Sequence, residues 1–101
     1  MKKWIDFSNG STIGKKGSEN GIILKDQEFD SGCRITLESC TKYQAITCGL
    51  YGAMVHTVFC SPEDAETTFE AMKKELGEFM MTEPDADAEM KFCAQFCDKY
   101  I

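Results

Sequence analysis

The period of the sequence changes once, at Ser61-Pro62, and this change constrains the fold more than any other feature. Before it, from Trp4 to Cys60, short runs rich in β-branched and aromatic residues are separated by glycine-containing breaks, the pattern of strands joined by turns. After it, apolar residues recur at spacings of three and four, the pattern of amphipathic helices. Strands first and helices second predict an α+β fold: a four- or five-stranded, mostly antiparallel sheet followed by two C-terminal helices packed on one face, in a single domain over 1–101.

The first helix has a defined start. Ser61 stands at the N-cap, Pro62 at the first helical position, and Glu63 and Asp64 in the first turn, with Asp64 in the capping-box position. Ala65, Phe69, Met72, Leu76 and Phe79 form one apolar stripe, which turns Glu66, Glu70, Lys73 and Glu78 to water. Gly77 weakens the last turns. Thr82-Glu83-Pro84 ends the helix, and a second one carries Met90, Cys93, Cys97 and Tyr100 on its stripe.

In the first half the clearest strands are 33–40, 43–50 and 54–60, with weaker ones at 4–7 and 21–25. A turn at Thr41-Lys42 matches apolar residues by pairing Leu37 with Ile46, Ile35 with Cys48 and Cys33 with Leu50. A slip of one residue would move a whole side-chain set to the other face. In the next hairpin, Leu50 opposite Met54 sets Cys48 opposite His56 and Ile46 opposite Val58. The face for the helices therefore holds Cys48 and His56 among aliphatic residues. The other face holds Tyr43, Ala45, Tyr51, Val55 and Phe59, too apolar to be left wet, and predicts cover by a partner or by the N-terminal segment.

Composition narrows the function. A chain of 101 residues, 43% hydrophobic and 28% charged, is long enough to bury a core and too apolar for general disorder. No apolar run approaches the roughly 20 residues that span a bilayer, so no membrane insertion is expected. The N-terminal Met1-Lys2-Lys3-Trp4-Ile5 turns polar at Asp6 and Ser8-Asn9-Gly10, which interrupts any secretory signal. The expected location is cytoplasmic, where the six cysteines are thiols. Net charge is −6, and residues 61–101 hold four basic against eleven acidic side chains. An acidic half repels phosphate, so nucleic-acid binding is not expected.

Cys60 lies four residues along the strand from His56, ~13 Å away at ~3.4 Å per residue, too far for a nucleophile–base pair. Cys48 is within reach across the strands, but under the helices burial makes a thiol inert. Cys93 and Cys97, one helical turn apart, join Cys48 and His56 in a possible tetrahedral zinc set, without the closely spaced Cys pairs of most structural sites.

The segment Gly10 to Gly21 lacks the phosphate-binding loop pattern: Asn9 stands where the first glycine belongs and Lys16 where the hydroxyl belongs. Ile13-Gly14-Lys15-Lys16-Gly17 resembles the Gly-x-x-Gly loop of KH domains, which implies an RNA-backbone clamp between two helices. Residues 8–12 leave no room for the first of these helices. The segment reads instead as a flexible lysine-bearing loop.

No constellation supports catalysis, and no cofactor is expected. The reading is a small cytoplasmic, non-catalytic interaction domain, homodimeric or bound to a protein partner. Its contacts would be Tyr43, Tyr51, Val55 and Phe59 on the sheet and Glu66 and Glu70 on the first helix. That acidic helix suits a basic partner, as in inhibitor or immunity-type proteins that mask nucleic-acid-binding toxins. The alternative is a small-molecule or zinc-binding domain using Cys48, His56, Cys93 and Cys97.

Overall fold

The computed structural model describes residues 3–30 and 32–101; Met1 and Lys2, the first residues of the N-terminal stretch read above, and Ser31 lie outside the described residues. Five strands, β1 (Trp4–Asp6), β2 (Ile22–Phe29), β3 (Cys33–Ser39), β4 (Gln44–Leu50) and β5 (Met54–Cys60), form an antiparallel sheet in sequence order. Two helices follow, α1 (Pro62–Met81) and α2 (Ala86–Lys99). This is the expected α+β fold, with all five strands present. The N-terminal segment contributes two of them, β1 and β2.

The registers follow from apolar matching. Leu37 pairs with Ile46, Ile35 with Cys48 and Cys33 with Leu50 across β3–β4. Ile46 pairs with Val58, Cys48 with His56 and Leu50 with Met54 across β4–β5. A slip of one residue would turn the aliphatic side chains away from the helical layer, so hydrophobic burial excludes it. β2 runs four residues beyond the expected 21–25, because a bulge between Ile23 and Lys25 re-phases it: Lys25, Gln27 and Phe29 then share the face of Leu37, Ile35 and Cys33.

The core lies between this face and α1. Ala65, Phe69, Met72 and Leu76 are fully buried against Ile35, Leu37, Ile46, Cys48 and Leu50. Each of the larger side chains contributes about 1.5–3 kcal/mol by leaving water. Gly77 has a packing reason. A β-carbon there would meet the Trp4 indole nitrogen at 2.8 Å, so the glycine lets β1's tryptophan lie against the helix.

Two local expectations are corrected. Ser61 does occupy the N-cap, but its hydroxyl donates to the Asp64 carboxylate (3.1 Å) and caps no backbone amide. Asp85 caps α2 as a serine or aspartate usually does, accepting from the Ala88 amide at 2.8 Å. The apolar stripe of α2 carries Cys93, Cys97 and Tyr100 as expected, but it adds Phe92 and Phe96 and leaves out Met90. Phe92, Phe96 and Tyr100 form an aromatic row, Phe92 stacked on Phe96 and Tyr100 tilted against it, and Phe92 lies on Phe79 of α1 at 4.0 Å between centroids. Met90, two residues or about 200° from Phe92, is therefore turned outward and 71% exposed.

Candidate functional site

The second face of the sheet is built in two halves. Strands β2 and β3 place Asp26, Arg34, Thr36 and Glu38 on it, and the segment 7–21 crosses over these residues. Asp26 is 0% exposed, yet it is fully satisfied. It accepts from Arg34 Nε (2.8 Å) and a second guanidinium nitrogen (2.6 Å), from Thr36 Oγ1 (3.0 Å), and from Thr12 Oγ1 of the overlying segment (2.8 Å). Burial pushes its carboxyl up, but the Arg34 guanidinium and the two hydroxyls outweigh that and hold it below the usual carboxylate range. The Phe7 ring covers the guanidinium at 3.7 Å.

Glu38, 1% exposed, holds the other end of the segment by accepting from the Glu19 and Gly21 amides. Gly21 must be a glycine here, and Gly17 lets the backbone approach the Glu38 carboxylate closely. A β-carbon would lie 2.7 Å from the Glu38 carboxylate at Gly17, and 2.7 Å from the Ser39 carbonyl oxygen at Gly21. The segment expected to be a flexible loop is thus hydrogen-bonded at both ends, and backbone bonds from Gly14 to Ile23 and from Ile23 to Lys15 seal it to β2.

Beyond it, on β4 and β5, the same face is bare and apolar. Val55 is 81% and Phe59 57% exposed. Tyr43 packs edge-on against Phe59 at 5.3 Å. Ala45 is buried, flanked by its cross-strand neighbours Glu38 and Phe59. Thr47 and Thr57 join hydroxyls at 3.2 Å midway between the Phe59 and Val55 ends. Tyr51 stands at the Val55 end, where its hydroxyl donates to Glu28 at 2.6 Å; burial and that carboxylate push its pKa up to about 12. Between the segment and this strip lies a cleft of about 560 Å³, walled by Gly17, Ser18, Tyr51 and Val55 and floored by Thr36, Thr47 and Gly49. Gly49 is required, since a β-carbon would meet the Met54 carbonyl oxygen at 2.9 Å.

The remaining sequence-derived candidates lie on the other side of the sheet. Glu66 and Glu70 of α1 both reach Lys25, Glu66 in close contact and Glu70 at 3.6 Å. They share no surface with Tyr43, Val55 and Phe59. Cys48 faces His56 across the strands as the register requires, but it is buried, and burial followed by the neighbouring Cys97, Cys33 and Cys93 pushes its thiol up to about 12. Cys97 donates to the Met54 sulfur at 3.7 Å. His56 Nε2–H donates to the Tyr100 carbonyl oxygen at the end of α2, so its ring joins helix to strand. Among the described residues no three His, Cys, Asp or Glu side chains converge as metal ligands.

The buried cluster of Asp26, Arg34 and Glu38 escaped sequence reasoning. Its signal was the polar alternation Arg34-x-Thr36-x-Glu38, which ordinarily marks a wetted face. Comparison with protein-family models, curated proteins and solved structures finds no match to this chain.

Proposed function

We propose that the chain is a non-catalytic interaction domain of the cytoplasm that binds protein through the bare half of its second sheet face. The observation that carries this reading is the exposure of Val55 and Phe59 on the outermost strand, beside an apolar cleft. The protein covers the polar half of the face with its own segment and leaves the apolar half open. A phenylalanine, two tyrosines and a valine on one bare strip, with Tyr51 and Val55 at the wall of the cleft, match the composition of interface cores, where aromatic anchors carry most of the binding energy.

Chemistry elsewhere in the molecule supports a non-catalytic role. The one histidine is hydrogen-bonded to a backbone carbonyl, the thiol beside it is buried and hard to ionise, and the buried carboxylates are occupied in holding the segment. Native mass spectrometry of untagged protein, purified from its own cells without chelators, tests the reading. The expected result is a metal-free assembly heavier than one chain, which Phe59→Asp reduces to a single folded chain. A zinc-loaded monomer, or a Phe59→Asp variant that unfolds, contradicts it.

A further inference from the structure

We propose that the partner is a second copy of this chain, joined edge to edge through β5 into a ten-stranded antiparallel sheet. The proposal rests on the interaction reading above and specifies its partner. The two edges of the sheet are guarded differently. β1 is three residues long, carries Asp6 and turns at once into a helical turn at Phe7–Gly10. β5 runs seven residues, Met54–Cys60, in unbroken register with β4, without a charge, a proline or a bulge. Among the described residues β5 is the last strand of the sheet and pairs with β4 alone. Proteins that remain monomers blunt such edges, because a long, flat, uncharged edge recruits another strand.

The strand also fits a copy of itself. Antiparallel pairing about a two-fold axis at Thr57 sets Val55 of one copy opposite Phe59 of the other, Met54 opposite Cys60 and His56 opposite Val58. Each pair keeps to one face, as an isologous interface demands. On the second face the Thr47–Thr57 hydroxyl pair then continues across the axis into its symmetry mate. Tyr43 and Phe59 of each copy meet Val55 of the other, which covers the two most exposed large apolar side chains of the described strands. An uncharged strand lets two chains of net charge −6 approach without setting carboxylates against each other along the pairing line.

The test uses two double variants of the full chain in sedimentation equilibrium, with circular dichroism to confirm folding. Val55→Lys/Phe59→Lys places lysine opposite lysine and is expected to raise the dimer dissociation constant by about a hundredfold or more. Val55→Lys/Phe59→Glu places lysine opposite glutamate at both ends and is expected to remain dimeric. Only self-pairing in this register separates the two. If they behave alike, or if the dimer survives the lysine pair, pairing through β5 is wrong while an interaction domain stands. A wild-type assembly of one chain with a different protein has the same consequence. A folded wild-type monomer that forms no assembly in its own cells overturns both.

Discussion

Asp26 is the residue on which most of the covered face depends, since it receives donors from β2's neighbour strand and from the crossing segment alike. Asp26→Ala leaves the Arg34 guanidinium without its carboxylate and is expected to cost about 3 kcal/mol, somewhat moderated by Arg34's contact with water. Urea unfolding at neutral pH measures this. The carboxyl titrates below its ordinary 3.8 when folded, so its contribution is complete above pH about 4 and is lost as pH falls through the lowered folded value. The gap between wild type and variant should close in that acid range. Cys33 and Cys48 behave in the opposite sense. Burial pushes both thiols from 9.0 to about 12, so neither should react with iodoacetamide at pH 8 until denaturant is added, as peptide mapping will show. Stability should also decline as pH rises above 9, because the unfolded thiols ionise first. At this scale the sequence was legible where one period decided the matter. The Cys48–His56 pairing follows from apolar matching of two strands, whereas the Tyr100 carbonyl that engages His56 arrives from a helix more than forty residues away.

Among the elements, the crossing segment shows why polarity alone misleads. Alternate polar residues on a strand predict solvent, and Arg34, Thr36 and Glu38 read that way. They are instead the hydrogen-bonding inventory that a loop needs when its amides lie against a sheet. Glu38→Ala removes the acceptor of the Glu19 and Gly21 amides. It is expected to raise hydrogen exchange across 14–23 while leaving β4 amides protected, measurable by exchange mass spectrometry. Gly21→Ala should act on the same region through steric overlap with the Ser39 carbonyl and the Cys40 sulfur, at a cost of about 1–3 kcal/mol. The helices were more legible, because the stripe of α1 recurs at five positions over about four turns. On α2 the expected Cys93, Cys97 and Tyr100 do face inward, but Met90 does not; stacking on Phe79 brings Phe92 in beside them, a choice made by a three-dimensional neighbour.

For the molecule as a whole, the strands stand in space in the order in which they occur in the chain. The β3–β4 and β4–β5 turns span only residues 40–43 and 51–53, while β1 is tied to β2 across residues 7–21. Closing the longer connection costs roughly 1 kcal/mol more in chain entropy, and it gains a three-residue strand. Folding should therefore begin in the β3–β4–β5 hairpins, whose formation takes ~1–10 μs in isolation, and end when the N-terminal segment comes down over Asp26 and Glu38. Pulse-labelling during refolding would show amides in β4 protected before those of residues 14–23. For that interval the meander exposes a polar face that is later dry and an apolar strip that stays bare. The last step of folding is then the arrival of a lid over charge rather than over grease, and its rate should slow as pH drops and Asp26 loses the negative charge that draws Arg34 and Thr12 together.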